Sequence, residues 1–151
     1  MLETLRKILF GDEQKPAVPR DHEVQFAVAI LLTEAASMDG TIDEAEIQRI
    51  RALLIAHFNL SAADAALLMR EADAALANQV ELYGPSRVVK DAMTYPQRIE
   101  LIEMLWDVVY ADGVVHDYEA SLMRRLGGLL FVDDQDSGAA RKRVLERRGL
   151  T

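Results

Sequence analysis

From Val24 onward the apolar residues of the chain recur every three or four positions, the spacing of one helix face. Val24, Ala27, Val28, Leu31, Leu32 and Ala35 predict a helix that starts near Asp21 or His22 and ends at Asp39-Gly40. A second opens at Asp43. There Asp43 and Glu46 stand at capping-box spacing, and Ile47, Ile50, Leu53, Leu54 and Phe58 continue the apolar face. Ser61 with Asp64 opens a third, running to about Asn78, and Tyr83-Gly84-Pro85 sets off a short separate helix within 82–93. Thr94, Pro96 and Gln97 form another start signal, since proline is tolerated in a first turn whose N–H groups have no partner within the helix. The next helix carries Ile99, Ile102, Leu105, Trp106 and Val109, and ends at Asp112-Gly113. The one after it carries Ala120, Met123, Leu126, Leu130 and Phe131. Asp133 and Asp136 then open a last helix, whose Arg/Lys run reads as a solvated face. No segment alternates as a strand does, so the pattern predicts an all-α bundle of seven to eight helices in antiparallel pairs.

The pattern also repeats. Displacing the chain by the separation of Asp39 from Asp112 lays Leu32 on Leu105, Glu34 on Asp107 and Asp39-Gly40 on Asp112-Gly113. Ile42 then falls on Val115, Glu44 on Asp117, Glu46 on Glu119 and Leu53 on Leu126. Each unit reads as helix, Asp-Gly turn, helix. Neither could bury its apolar face alone, so the expectation is two units packed about a pseudo-twofold axis in one domain. That places the domain at 21–151, preceded by an N-terminal segment and linker at 1–20. In that segment Leu2, Leu5, Ile8, Leu9 and Phe10 share one side of a short amphipathic helix, which reads as docked on the body or as a membrane-surface anchor.

Composition narrows the function classes. With 151 residues there is room for one core. The absence of cysteine excludes disulfides, thiol catalysis and Cys-bound zinc. A net charge of −8 disfavours nucleic acid, whose affinity rests on Lys and Arg displacing counterions. No apolar run is long enough to span a bilayer, and residues 1–11 lack a signal-peptide pattern, so the expected location is cytoplasmic.

The Asp-Gly turns are the candidate chemistry. Gly40 and Gly113 are expected at positive φ, with Ile42 and Val115 pinning each turn to the core. Glu46 and Glu119 are expected at the third position of the following helix, able to accept backbone N–H bonds there. Set against an EF-hand loop, Gly40 matches position 6, Asp39 position 5, Asp43 position 9 and Glu46 position 12. In the second unit Asp112 and Glu119 fit while His116 takes position 9. Both units lack the acids that open such a loop, having Ala35 and Ser37, or Val108 and Tyr110. A normal EF-hand is therefore not expected. The candidate metal ligands are Glu34, Asp39, Asp43, Glu46, Asp107, Asp112 and Glu119, for a divalent cation such as Ca²⁺, Mg²⁺ or Mn²⁺. The same patch could instead receive a protein with a basic surface. Catalytic motifs are lacking: His22, His57 and His116 are scattered, and no nucleophile elbow or phosphate loop is present. The expectation is a non-enzyme. An acid/base pair of Glu34 and Asp107 is the enzymatic alternative.

The duplicated hairpin, "LLTEAASMDGTIDEAEIQRIRALL" and "LIEMLWDVVYADGVVHDYEASLMRRLGGLLFVDDQD", resembles the TerB-like tellurite-resistance family over roughly 22–136. The resemblance implies an all-helical bacterial cytoplasmic domain that is not an established enzyme. It also implies a negatively charged surface proposed to bind metal or to join membrane-associated stress complexes, with Asp39, Glu46, Asp112 and Glu119 as the motif acids. Related domains occur in tellurite-resistance proteins and in a DnaJ-type co-chaperone. The expected role is an acidic, cation-binding module of a stress-response or membrane-associated assembly. The alternative is a membrane-surface adaptor, or a co-chaperone-like interaction domain without metal.

Overall fold

The computed structural model describes residues 17–37, 42–78, 81–115 and 119–150; the N-terminal segment and the Asp39-Gly40 turn lie outside them. Among the described residues there are seven helices and no strand. They are α1 (Ala17–Ala36), α2 (Glu44–Phe58), α3 (Ala62–Ala77), α4 (Tyr83–Ala92), α5 (Tyr95–Val109), α6 (Glu119–Leu129) and α7 (Asp134–Arg147). The all-α expectation holds.

The caps explain most of the boundaries. Asp43 and Glu46 close a reciprocal capping box at the start of α2, as Thr94 and Gln97 do for α5, where Pro96 occupies the first turn. Ser61 caps α3 through the Asp64 N–H. α1 starts at Ala17, upstream of the expected Asp21. Pro19 fits there because the N–H it lacks would have no partner in the first turn. α7 departs differently, since Asp133 makes no side-chain cap bond. The Tyr95 hydroxyl binds this helix start from another element. It accepts from the Asp133 N–H at 3.2 Å and donates to Asp136 Oδ2 at 2.5 Å, joining the starts of α5 and α7.

α1 and α5 form the centre. α1 packs against α2, α3, α4 and α5, while α5 packs against α1, α2, α6 and α7. Surrounded in this way, Ala27 to Leu32 on α1 are buried on every side, and so are Leu101, Ile102 and Met104 to Val109 on α5. A helix apolar all round must be enclosed, and each fully buried large aliphatic contributes about 1.5–3 kcal/mol. The helices before and after α4 repeat one set of contacts, with the first of each trio packed on its second and third.

Ala120, Phe131 and Val115 are not where the periodicity put them, and Ala120 is exposed. α6 stops at Leu129, and Phe131 turns left-handed (φ 56°) so that the Val132 N–H reaches the Gly127 carbonyl. Phe131 is 64% exposed, with the Lys90 ammonium 4.5 Å from its ring centre. Val115, expected to face the core, is 45% exposed, whereas Ile42 packs against the core as expected.

Candidate functional site

At the first turn the acids serve the backbone. The Glu46 N–H donates to Asp43 Oδ1 at 2.8 Å, and the Asp43 N–H donates to Glu46 Oε1 at 3.0 Å. Glu46 is buried, whereas Asp43 and Glu44 are exposed, and Glu44 Oε1 accepts from Gln48 at 2.8 Å. Glu34 is half-buried near the end of α1. Among the described residues its carboxylate makes no ion pair. Asp39 lies outside the described residues.

The second turn shares the backbone chemistry. Gly113 takes φ 79°, as expected of a residue closing a helix, and the exposed Asp112 accepts the Val114 N–H at 2.9 Å. Glu119 opens α6 and is buried; His116 and Asp117 lie outside the described residues.

Asp107 is unlike the others. Its carboxylate is only 3% exposed and is held from both sides. Arg49 Nε donates to Oδ2 at 2.6 Å, with Arg49 Nη2 on the same oxygen, and Arg148 Nε donates to Oδ1 at 2.7 Å. One guanidinium comes from α2 and the other from the end of α7. A carboxylate so enclosed is committed to two guanidiniums, and its charge is over-matched.

These pairs also order the helices. Arg49 of α2 meets Asp107 of α5, and eight residues further along α2 His57 Nδ1 lies 3.5 Å from Glu100, seven residues back along α5. The two helices are therefore antiparallel, and the start of α2 lies at the end of the bundle where α5 finishes. Asp43, Glu44 and Asp112 are exposed at this shared end. Two guanidiniums on Asp107 leave one positive charge over.

Sequence reasoning missed the arginines. The basic run expected to be a solvated face instead grips α5. Arg143 and Arg147 reach the two oxygens of Glu103 at 2.6 and 3.0 Å, and Arg141 Nε donates to Tyr110 Oη at 2.7 Å. Partial burial pushes the Glu103 carboxyl upward, but Arg143 and then Arg147 outweigh it and hold its pKa below the ordinary 4.5. Burial raises the Tyr110 hydroxyl above 10.0, with Arg141 opposing and nearby Glu119 adding to the rise. The signal in the sequence is only an abundance of Arg, because the partners stand 58 and 41 residues apart for Asp107 and 40 and 44 for Glu103.

Among the described residues no group of three or more His, Asp and Glu side chains is placed to hold a metal ion. The seven expected ligands divide into Asp43 and Glu46 in a capping box, Asp112 on a turn amide, Glu119 buried at a helix start, Asp107 between arginines, Glu34 apart from ion pairs, and Asp39 outside the description. No single described helix is long and apolar enough to cross a membrane.

The family model for tellurite resistance protein TerB matches residues 25–142. The chain belongs to the TerB family. The TerB match runs from within α1 into α7 and takes in both turns. A crystal structure of a protein of unknown function from Porphyromonas gingivalis W83 is similar, with a TM-score of 0.61 over 80% of this chain and 89% of that one. At 17% identity that likeness shows the fold alone. No curated protein matches this TerB chain.

Proposed function

We propose that this TerB domain is a non-enzymatic interaction module whose acidic end receives a basic surface of a protein partner, within a bacterial stress-response or membrane-associated assembly. The observation that carries the reading is the position of Asp43, Glu44 and Asp112, exposed at the one end where α2 starts and α5 finishes. Arg49 and Arg148 are engaged by Asp107, which cancels one of their two charges. Complementary charge of this kind speeds encounter and rejects acidic competitors, and needs no pocket or nucleophile. The described histidines fit a non-catalytic role. His22 pairs with Glu71 beside Phe26, and His57 pairs with Glu100 against Phe58.

The test is capture from a bacterial lysate by the full chain and by the triple variant Glu34→Gln, Glu44→Gln, Asp112→Asn, with and without chelator. The reading predicts a partner retained by the wild type, released by raised salt and lost from the folded triple variant. Retention by the triple variant contradicts it. Calorimetry with Ca²⁺, Mg²⁺ and Mn²⁺ separates a direct contact, which gives no heat from the ions alone, from a cation-bridged one. In the bridged case the heat disappears on combining Asp39→Asn with Asp112→Asn.

A further inference from the structure

The arginines of α7 and its cap divide into two kinds. Arg143, Arg147 and Arg148 all end on carboxylates of α5. Arg141 does not; among the described residues it makes no ion pair. Its guanidinium is instead held in place by Tyr110 Oη and lies 5.4 Å from the Trp106 ring centre and 5.9 Å from that of Tyr110. A half-buried guanidinium fixed on aromatic rings, with one edge bonded and no ion pair among the described residues, is preorganised for a carboxylate, which takes two of its N–H groups at once.

Arg141 lines a groove of about 310 Å³ between α5, α6 and α7, at the lower end of the size range of ligand sites. Trp106 and Met123 give it an apolar floor, with Trp106 Nε1 donating to Ser137 Oγ at 3.2 Å. Arg124 and Asp134 also line it, one of each sign, beside Arg141. Val115 forms part of the lip beside exposed Val114, two β-branched side chains held in water. We propose that this groove binds a peptide segment of a protein partner in which an acidic side chain, received by Arg141, is flanked by apolar residues that cover Val115 and Trp106. Its chemistry is the opposite of the acidic end and does not depend on it.

Trp106 is the only tryptophan in the chain, so its emission reports the groove directly. The probe is a doubly blocked pentapeptide of alternating leucine and glutamate, with the leucine–glutamine peptide as control. The full chain should show a saturable change in Trp106 emission with the glutamate peptide and at least tenfold weaker binding of the glutamine one. Arg141→Gln, which keeps a donor near Tyr110, should weaken binding at least tenfold while the far-UV spectrum stays native. Ala120→Glu places a competing carboxylate on an exposed groove position away from the Tyr110 contact and should do the same. An unchanged emission, equal affinity for both peptides, or full affinity in either folded variant would overturn the proposal.

Discussion

Glu34 and Asp107 hold matching places in the repeated sequence pattern, one near the end of each central helix, yet they live differently. Asp107 is almost wholly enclosed and gripped by Arg49 and Arg148. Glu34 is only partly buried, and among the described residues its carboxylate makes no ion pair. The difference does not lie in either acid's neighbourhood along the chain. At the places matching Arg49 and Arg148, the pattern puts Leu122 and Ala75. Glu34 therefore has neither of the guanidiniums that turn Asp107 into an internal anchor. Two acids at matching places in a sequence pattern can differ in this way, and what decides is a residue far away in the chain.

The strongest way to break this comparison is to strip the anchor of its partners. Arg49→Met combined with Arg148→Met leaves a buried carboxylate without compensation and should cost about 4 kcal/mol in urea denaturation. Restoring neutrality with Asp107→Asn on that background should recover a large part of the loss. No recovery would mean that the arginines act through packing alone. Glu103, bridging Arg143 and Arg147 nearer the surface, is an intermediate case. Glu103→Gln should cost about 1 kcal/mol at pH 7. Because its folded pKa lies below 4.5, that stability is present above the unfolded value and is lost as pH falls through the folded one. The melting temperatures of wild type and Glu103→Gln should therefore converge in acid. The capping boxes come next, with Asp43→Ala and Thr94→Ala each lowering stability by about 1 kcal/mol in thermal melts. The smallest effect belongs to Glu44→Gln, an exposed acid near the first turn, which should stay within about 0.5 kcal/mol in the same melts.

The sequence was most legible where the physics is local. The caps at Asp43, Ser61 and Thr94 join groups three residues apart, and the apolar spacing of α1, α2 and α5 follows from the turn of the helix itself. It was least legible where partners are distant. Nothing near Asp107 announces Arg49 or Arg148, and nothing near Asp133 indicates that the Tyr95 hydroxyl will accept its N–H. Val115 was misread because matching it to Ile42 assumed identical surroundings, whereas the second turn opens onto the groove beside α6 and α7. In the candidate site the acids themselves were readable. Their division into capping, anchoring and exposed roles depended on burial and on cross-helix contacts.

The account rests on that division, and paired thermal melts of Asp107→Asn and Glu34→Gln at pH 7 test it most directly. Asp107→Asn should lower the melting temperature by roughly 10 °C, the equivalent of about 3 kcal/mol in a domain of this size. Glu34→Gln should leave it within about 2 °C. Similar shifts for the two variants would contradict the claim that one acid anchors the fold while the other does not.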